Sequence, residues 1–384
     1  MRCIKLCFKT RMRKFEPFET VHHLAEECGA RWQGYGAVVL ATRRGERQLR
    51  RALLSKKENK RLLDYDSGLI LFGSFARFEM TGGSDFDWSL LVDGVVNNDH
   101  ATQAQRISDS LESARLTPPG SSGTFGNLVF SHDLVHRIGG GADSNTNLTR
   151  RMLMLLESRP FELTKDNSCQ QVWTNVLSNI LQRYFEQEVH FSPLHECKVP
   201  RFLLNDVTRY WRTICVDYAA KHREQDGKKW AMRNAKLRLS RKLLFASGLA
   251  FCLNCELCPP ADALRGRGAR SPQPFIESAM SFARTPALEY LAVFVDKHVK
   301  EQTKRKQLAR LIFGSYNQWL MLIMDNRVRK HLEGLSHQDA KQDITFNKVR
   351  RIGKDFAQGL QLLFFNRNQD EDPIANLCLD YVGF

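Results

Sequence analysis

The sequence predicts an α+β protein, with strands and helices mixed in the first half and helices alone in the second. Short apolar runs that end at turn residues occur in the first half. From residue 147 onward, apolar residues recur instead at the three- and four-residue spacing of helices. The chain has 384 residues, of which 42% are hydrophobic, so it is long enough for two domains.

The N-terminal segment, residues 1–60, is predicted to be helical and basic. Leu49, Leu53 and Leu54 stand at helical spacing among Lys and Arg residues. This pattern is typical of a surface helix or of a helix that bridges two larger units.

Residues 61–160 are predicted to form one domain that contains the strands. GLILFGS is an apolar run that ends in a Gly-Ser turn, and FDWSLLVDG alternates before closing on Asp93-Gly94. These runs predict two strands around a loop and a short helix. Residues 101–116 read as a helix, and NLVFSHDLVHRI reads as a third β-type run.

Residues 161–365 are predicted to form a helical domain, because almost every segment in them has the helical period. The clearest internal loop is the Pro- and Gly-rich stretch 259–275. The polar stretch NRNQDEDP then separates a C-terminal tail, residues 366–384, from the last long helix.

The charge of the chain favours a polyanionic ligand. Lys and Arg number 57 against 42 Asp and Glu, a formal charge of +15. The excess clusters at residues 11–14, 43–61, 228–242 and 297–310. Nucleic acid or a nucleoside triphosphate would suit such clusters. The alternative is a set of solvated helix faces.

The ten cysteines show no disulfide-type framework, and charges interrupt the first fifteen residues, so no signal peptide is expected. A reducing cytoplasm is the expected compartment. The longest apolar stretches fall short of the roughly 20 residues that a bilayer requires, so we expect no membrane span. The sequence carries no signature of oligomeric state.

The segment around Gly73 and Asp87 carries the clearest chemistry. Asp85 and Asp87 alternate along a predicted strand, so both carboxylates point to one face and could share a metal. Gly73-Ser74 stands at a predicted strand-to-helix turn, where backbone N–H groups and a hydroxyl could hold triphosphate oxygens. Arg77, one turn later, would add a positive donor. The alternative is a Gly-Ser turn followed by a surface Asp pair.

The segment LILFGSFARFEMTGGSDFDWSLLV closely resembles the signature of the DNA polymerase β-like nucleotidyltransferase superfamily. It has the apolar strand, the Gly-Ser pair, the Asp-x-Asp about ten residues on and the second apolar strand. The resemblance covers about residues 65–145. It implies a small mixed sheet with helices on one side, a helical domain that closes the active-site cleft, and catalysis with Mg²⁺ or Mn²⁺ bound by Asp85 and Asp87.

The resemblance also implies a third carboxylate on a later strand, to bind the catalytic metal or deprotonate the acceptor. The sequence offers Asp133 in VFSHDLV and Asp143 in GGGADSNTN. Asp133 is preferred because it lies in the third β-type run, whereas Asp143 follows a Gly-rich turn.

The basic segment GKKWAMRNAKLRLSRKLLF is the next candidate. In enzymes of this superfamily, a Lys and a nearby Ser or Thr of the helical domain hold the triphosphate. Lys236 and Ser240, four residues apart, would share a helix face and could do this. A plain amphipathic basic helix is the alternative. In RFLLNDVTRYWRT, Arg209, Tyr210 and Trp211 are possible cleft residues, although core packing is the preferred interpretation of the aromatics.

Two further features remain open. Cys252, Cys255 and Cys258 are spaced like metal ligands, but a fourth ligand is missing and buried thiols on a helix explain them better. Tyr381 lies close to the end of the tail, where its hydroxyl could reach an active site and accept a nucleotide. Docking of the tail on the helical domain is the alternative.

The whole pattern is similar to the nucleotidyltransferases of bacterial antiphage defence, and within them to the family of the Hailong defence enzymes. That resemblance implies growth of a single-stranded oligodeoxyadenylate from dATP on Tyr381, and a membrane-channel effector as partner. Gly73, Ser74 and Arg77 would hold the incoming triphosphate.

Three other functions remain open from the sequence. A cyclic-oligonucleotide synthase would release soluble products. An adenylyltransferase toxin would modify tRNA or another protein. A catalytically inactive module would use the fold and its positive surface only to bind nucleic acid. Both Asp85 and Asp87 are present, which argues against the inactive module.

Overall fold

The computed structural model describes residues 16–55, 62–120, 123–163, 168–191, 198–224, 229–260, 272–366 and 372–382. Its fold is α+β, as the sequence predicts: a small mixed sheet is surrounded and followed by helices.

The sheet of the described residues has four strands in the order β3-β2-β1-β4. β1 pairs antiparallel with both β2 and β4, and β3 runs parallel to β2. All six residues of β1 are buried, which explains its uninterrupted apolar run. The strands are β1 (Ser67–Phe72), β2 (Trp88–Val92), β3 (Asn127–Phe130) and β4 (Ser158–Pro160).

These strand directions bring four chain positions to one edge of the sheet. The C-terminal end of β1 meets the N-terminal ends of its two antiparallel neighbours, and the parallel strand β3 begins at the same edge. Gly73 follows β1 there, while Asp87, Gly126 and Glu157 precede β2, β3 and β4. The predicted Gly-Ser and Asp-x-Asp elements therefore share this edge.

The helices of the first half lie before, between and after the strands. The longer ones have amphipathic sequences, and the N-terminus of α4 is capped by Asn97, whose side chain accepts hydrogen bonds from Asp99 N–H and His100 N–H. The helices are α1 (Glu19–Glu27), α2 (Gln33–Leu54), α3 (Gly73–Ala76), α4 (Asn98–Ser113), α5 (Ser131–Val135) and α6 (Asn145–Leu156).

From α7 onward the described chain is helical. The helices are α7 (Ser168–Phe191), α8 (Arg201–Glu224), α9 (Trp230–Lys236), α10 (Lys242–Leu257), α11 (Gln273–Arg284), α12 (Ala287–His298), α13 (Gln302–Ala309), α14 (Ser315–Met324), α15 (Asn326–Gly334), α16 (His337–Ala340), α17 (Ile344–Phe364) and α18 (Pro373–Val382). Two π-helical turns, Leu237–Arg241 and Arg310–Gly314, join α9 to α10 and α13 to α14.

The N-terminal helices bridge the two halves of the chain. α1 packs against α12, and α2 packs against both α4 and α14. Tyr35 of α2 is fully buried, and its hydroxyl donates a hydrogen bond of 2.6 Å to Phe313 O. Residues 1–15 and 56–60 of the predicted basic segment lie outside the described residues.

Two predicted elements differ in the structure. The third β-type run is a strand only as far as Phe130, because the chain turns into α5 and buries Leu134 and Val135 from a helix. The predicted C-terminal tail contains α18, which buries Ile374 and Cys378 against α10 and α17. Ile374 and Cys378 are four residues apart, so they lie on one face of α18, and this face packs against the other helices.

No helix among the described residues combines the length and the apolar character needed to cross a bilayer.

Candidate active site

Asp85 and Asp87 lie side by side on the extended segment that leads into β2. Both are half-buried, while Phe86 and Trp88 between and after them are buried. The backbone of Asp87 extends the sheet by one step, because its carbonyl accepts a hydrogen bond of 2.9 Å from Phe72 N–H. The alternation of an extended chain thus turns both carboxylates to one face, as predicted.

Gly73 is required at this turn for two reasons. Its φ of +64° lies in the left-handed region, which strains residues with a side chain. A Cβ at this position would also come within 2.9 Å of Asp87 Oδ2. The backbone therefore approaches the Asp87 carboxylate as closely as only glycine allows, and Ser74 follows Gly73 in the short helix α3.

The pKa of Asp87 is raised to about 7, first by burial and then by the neighbouring Asp85 carboxylate. Arg241 and Lys236 oppose this shift. A group of paired carboxylates with a raised pKa attracts cations, so the arrangement suits a metal or a bound positive group.

Glu157 forms the buried floor of the site, and sequence reasoning did not identify it. It stands opposite Gly73, one step beyond the Phe72–Ser158 pair, and its side chain is fully buried. Its carboxylate accepts hydrogen bonds from Arg77 and, at 2.9 Å, from Arg241. Burial of a carboxylate is tolerated here because two guanidinium groups hold it.

Arg77 has a structural role that differs from the predicted one. Its guanidinium is buried and donates hydrogen bonds to Glu79, at 3.0 Å, and to Glu157. Burial alone would lower the pKa of Arg77, but these two carboxylates raise it. In the structure Arg77 cross-links the frame beneath the site, and its charge is already matched by two buried carboxylates, which differs from the predicted role of a free donor to the triphosphate.

Lys236 lies close enough to Asp85 and Asp87, from the helical half, to interact with the charges of both carboxylates. Burial lowers its pKa, while the negative charges of Asp85 and Asp87 act in the opposite direction. A lysine among these carboxylates is well placed for a polyphosphate, which would bring further negative charge.

The π-helical turn Leu237–Arg241 brings a second cation to the same place. In a regular α-helix, residues five apart point roughly 140° away from each other. Hydrogen bonds of the π type join residues five apart and place them on one face. Lys236 and Arg241 can therefore both act on Asp87. Because a π turn has no clear sequence signal, the role of Arg241 was missed.

Ser74 belongs to α3, which follows β1, and Ser240 belongs to the π-helical turn that carries Arg241. Ser74 is half-buried in the first turn of α3. Ser240 lies inside the π-helical turn and is 8% exposed. Of the two predicted hydroxyls, Ser74 is the more accessible for a ligand.

Arg329 of α15 is a further cation at the site that the sequence did not indicate. Its Nη1 donates a hydrogen bond of 2.9 Å to Thr81 Oγ1, in the loop that leads to Asp85. A Cβ on Gly83 would come within 2.6 Å of its Nε. Its charge also lowers the pKa of Lys236. Arg329 thus links the last part of the chain to the Asp-x-Asp loop.

Asp133 does not join Asp85 and Asp87. It lies in α5, after β3, whereas Asp87 precedes β2. Because these strands run parallel, the two positions lie at opposite ends of the sheet, roughly 15 Å apart at about 3.3 Å per residue. Asp133 pairs instead with Arg137 at 3.1 Å. The structure therefore does not bring Asp133, the predicted third carboxylate, to the pair, because the chain leaves β3 at Phe130 and carries Asp133 into α5.

Asp143, the other candidate, is engaged elsewhere. Both of its oxygens accept hydrogen bonds from Arg151, at 2.8 and 2.7 Å. Burial favours a higher pKa for Asp143, but these bonds lower it. The segment before β3 that lies level with Asp87, residues 123–126, contains no carboxylate. The site therefore presents two free carboxylates, with Glu157 paired beneath them.

Two groups of ligand-type side chains close enough to share an ion occur in the described part of the chain, and both lie elsewhere. They are His23, Glu27 and Asp296, and Asp64, Asp66 and His100. In the second group Asp64 and Asp66 precede β1 and His100 belongs to α4, which follows β2, so the group lies at the end of the sheet opposite Asp87. Cys252 and Cys255 are buried on α10, in agreement with their interpretation as helix residues, whereas Cys258 is exposed and follows the last residue of α10.

Tyr381 lies far from the carboxylate pair in this structure. It belongs to α18, and its hydroxyl donates a hydrogen bond of 3.1 Å to Glu256. The Arg201 guanidinium lies 5.2 Å from the centre of its ring. Glu256 stands fifteen residues after Arg241 along α10, roughly 22 Å at 1.5 Å per residue.

The remaining predicted cleft residues divide between core and surface. Tyr210 is 3% exposed and packs in the core. Trp211 is half-buried and stacks on Phe245 with 5.8 Å between the ring centres. Arg209 pairs with Asp206 at 3.0 Å. Tyr210 is therefore a core residue, which is the preferred interpretation of the aromatics, whereas Trp211 is only partly buried.

The donor set of the site fits a Mg²⁺ ion. Mg²⁺ is commonly bound by one or two carboxylates together with substrate phosphates, which complete its coordination. Asp85 and Asp87 supply two carboxylates on one face, and the pKa of Asp87 is raised by burial and then by the Asp85 charge, both of which a bound divalent ion would offset. Glu157 is excluded from this set because two arginines hold it.

Comparison with known proteins adds nothing to this description of the site: no protein-family profile matches the chain, and no curated protein matches it.

Proposed function

We propose that this chain is a metal-dependent, template-independent nucleotidyltransferase of the DNA polymerase β-like type. The observation that carries the proposal is the close approach of Gly73 to the Asp87 carboxylate, with Asp85 beside it and Lys236 opposite. A Gly-Ser turn, two carboxylates on one face and cations across the cleft form a site suited to a nucleoside triphosphate and its metal.

In the proposed reaction an acceptor hydroxyl attacks the α-phosphorus of a nucleoside triphosphate. A new phosphorus–oxygen bond forms to the acceptor, the bond between the α-phosphorus and its bridging oxygen to the β-phosphorus breaks, and pyrophosphate leaves. Mg²⁺ or Mn²⁺, held by Asp85 and Asp87, would supply charge neutralisation. The acceptor proton passes to a carboxylate of the pair or to water.

The other residues bind and orient the triphosphate. The first turn of α3 presents backbone N–H groups and the Ser74 hydroxyl beside the carboxylates. Lys236 and Arg241 offset the phosphate charge from the helical half, and Arg329 holds the loop that carries Asp85. Ser240, being buried, supports the turn that positions the two cations.

For the acceptor, we propose Tyr381 as the primer of an oligodeoxyadenylate made from dATP, in antiphage defence and with a membrane-channel protein as effector. The resemblance to the Hailong enzymes supports this choice. The docked position of Tyr381 adds a requirement. Because the tyrosine lies roughly 22 Å along α10 from the site, α18 must leave α10 or Tyr381 must enter the site of a second copy of the chain.

The test incubates the protein with each labelled NTP and dNTP and Mg²⁺, and separates protein-bound from free label. Mass spectrometry should find nucleotide additions on the peptide that contains Tyr381, chiefly with dATP. Tyr381→Phe should remove them, whereas Tyr65→Phe should not, because Tyr65 is a surface tyrosine that is 90% exposed. Label that stays bound in Tyr381→Phe would reject the tyrosine primer.

A cyclic-oligonucleotide synthase is the second candidate, and the docking of Tyr381 away from the carboxylates favours it. Here the acceptor would be a hydroxyl of a nucleotide, and label would appear in free, phosphatase-resistant products. Transfer of label to added tRNA or to a foreign protein would indicate an adenylyltransferase instead. Nucleic-acid binding with no turnover of any nucleotide would indicate an inactive binding module.

A further inference from the structure

A phenylalanine stands beside the carboxylate pair, on the chain that leads into β3. Gly126 N–H donates a hydrogen bond of 2.7 Å to Trp88 O, which holds this chain against the start of β2. Because β3 and β2 run parallel, Phe125, the residue before Gly126, lies beside Asp87, the residue before Trp88. A carboxylate at this level would join the pair, but the chain places an uncharged aromatic ring there.

The Phe125 ring lies on the face of the sheet that carries the carboxylates. Phe72 stands directly opposite Asp87, one step beyond the Leu71–Trp88 pair, and its N–H donates a hydrogen bond of 2.9 Å to Asp87 O. Residues directly opposed in antiparallel strands carry their side chains on the same face. The centre of the Phe125 ring lies 5.3 Å from that of Phe72. Phe125 therefore flanks the Asp87 carboxylate.

The ring is supported from beneath. The cavity between the ring, the sheet and α6 has a volume of about 10 Å³, and its lining includes Phe72, Ser89, Leu153 and Met154. That is about the space of one water molecule, so the ring has little room to sink. Phe125 is only half-buried. It thus presents a fixed aromatic surface beside the carboxylates.

Phe125 and the Gly73-Ser74 turn lie on opposite flanks of Asp87. β2 stands between β3 and β1 in the sheet, and Gly73 follows β1 whereas Phe125 precedes β3. In the proposed reaction the Gly73-Ser74 turn binds the triphosphate. The attacking and leaving oxygens lie roughly in line, on opposite sides of the transferred phosphorus. The acceptor therefore approaches from the flank that carries Phe125.

We propose that Phe125 binds the acceptor by stacking on the terminal base of a single-stranded nucleic acid. This inference rests on the proposed nucleotidyl transfer and names the acceptor of its elongation steps. In both candidate functions a nucleoside hydroxyl is the acceptor in every step after the first. Aromatic side chains stack on any base, since every base has a π-face. Phe125 has no polar group, so it selects for the presence of a terminal base and not for its identity.

The test compares two fluorescent single strands of oligodeoxyadenylate, one complete and one without the base of the nucleotide at its acceptor end. Each is titrated with the full chain and followed by fluorescence anisotropy, with Mg²⁺ present and no triphosphate, so that no transfer occurs. The wild type should bind the complete strand roughly tenfold more tightly, as expected for one stacked base. Phe125→Ala should bind both strands with the affinity that the wild type has for the strand without the base.

Two variants separate stacking from a structural role. Phe125→Trp keeps an aromatic ring and should keep the preference for the complete strand. Phe130→Ala is the matched control: Phe130 is a half-buried phenylalanine of β3 that pairs with Val92 at the opposite end of the strand, and its removal should leave the preference unchanged. If Phe125 only supported the fold, Phe125→Ala would weaken the binding of both strands alike.

Two results would overturn the proposal: equal affinity of the wild type for the two strands, or an unchanged preference in Phe125→Ala. Release of pyrophosphate by the wild type decides the proposed function separately. A chain that prefers the complete strand through Phe125 but turns over no triphosphate would support the nucleic-acid contact and reject nucleotidyl transfer. A chain that turns over triphosphate without this preference would do the reverse.

Discussion

Gly73 is the residue at which backbone and catalytic geometry depend on each other. Its φ of +64° and the proximity of Asp87 Oδ2 both exclude a side chain. Gly73→Ala is therefore expected to destabilise the protein by about 1–3 kcal/mol and to displace the Asp87 carboxylate. Urea denaturation measures the first effect, and nucleotide turnover measures the second.

Gly36→Ala is the matched control for this change. Gly36 lies within α2, and a Cβ there would meet no atom within 4 Å. The control should be neutral or stabilising by up to about 1 kcal/mol, since alanine favours a helix. Equal effects of the two substitutions would show that Gly73 is not constrained in this way.

Asp87 gives the stability of the metal-free protein a characteristic pH dependence. Its pKa is raised from 3.8 to about 7 by burial and by Asp85, so the folded chain holds a proton that the unfolded chain releases. The free energy of unfolding contributed by this group therefore falls as the pH rises between about pH 4 and pH 7. Above this window the folded protein carries the full cost of a buried charge.

Asp87→Asn should remove this cost. The variant is expected to be more stable than the wild type above about pH 7, by an amount on the order of 1.4 kcal/mol per unit of pKa shift at most. The difference should vanish below about pH 4, where the carboxyl is protonated in both states. Thermal melting of both proteins across this pH range, in the presence of a metal chelator, measures the difference in stability. A stability difference between the two proteins that is independent of pH would contradict the assignment of the shift to Asp87.

At the scale of elements, α15 supports the loop that carries Asp85. Arg329 reaches from α15 to Thr81 and lies against Gly83. Arg329→Ala should lower kcat/KM for the nucleotide by roughly 10- to 100-fold, the cost of a lost charged hydrogen bond. Most of the effect should appear in KM, because Arg329 adds positive charge where the triphosphate binds.

Arg327→Ala provides the comparison on the same helix. Arg327 is 96% exposed and should leave both kinetic constants unchanged. Thermal melting of both variants separates a change at the site from unfolding of α15. A fall in kcat alone, or equal effects of both substitutions, would contradict the proposed position of Arg329.

The sequence predicted those elements whose signal is local. The apolar run of β1, the Gly-Ser turn and the alternation of Asp85 and Asp87 depend on neighbouring residues, and the structure contains each of them. β4 was not predicted because its three residues, Ser158–Pro160, are too short for a pattern. Asp133 was predicted to lie on a strand but lies in α5. The composition of the chain does not change where β3 ends and α5 begins, so the sequence did not indicate the boundary.

The remaining residues of the site come together through tertiary contacts. Glu157 meets Arg241 and Arg77 across 84 and 80 residues of chain, and Arg329 meets Thr81 across 248. No local spacing contains such pairs. Lys236 was predicted from the resemblance rather than from its own segment, which has the composition of an ordinary basic helix.

At the scale of the whole molecule, a buried ionic network joins the two halves. Arg151 of α6 is fully buried and pairs with Asp143 and with Asp206 of α8. The Tyr184 hydroxyl of α7 donates to Asp206 at 2.6 Å and accepts from Arg151 at 3.1 Å. Removing Arg151 would leave the Asp143 carboxylate without its hydrogen-bonded cation and would leave Asp206 with Arg209 as its remaining ion-pair partner.

Arg151→Met is expected to destabilise the protein by about 3–5 kcal/mol. Because the network spans both halves, the sheet and the helices should lose structure in one transition. Urea denaturation followed by far-UV circular dichroism and by tryptophan fluorescence measures the loss of stability and shows whether there is one transition. Arg51→Met, at an exposed position of α2, should stay within about 0.5 kcal/mol of the wild type. Similar free energies of unfolding for Arg151→Met and Arg51→Met would show that the buried network does not stabilise the fold.

The central claim is that Asp85 and Asp87 form a metal-dependent site for nucleotidyl transfer, and pyrophosphate release tests it most directly. The wild type should release pyrophosphate from at least one nucleoside triphosphate when Mg²⁺ or Mn²⁺ is present, and not when the metal is chelated. Asp87→Asn should lose this activity by at least about 100-fold, roughly 2.7 kcal/mol of transition-state stabilisation. Asp133→Asn, at the opposite end of the sheet, should retain it. No release from any triphosphate, or full activity in Asp87→Asn, would contradict the claim.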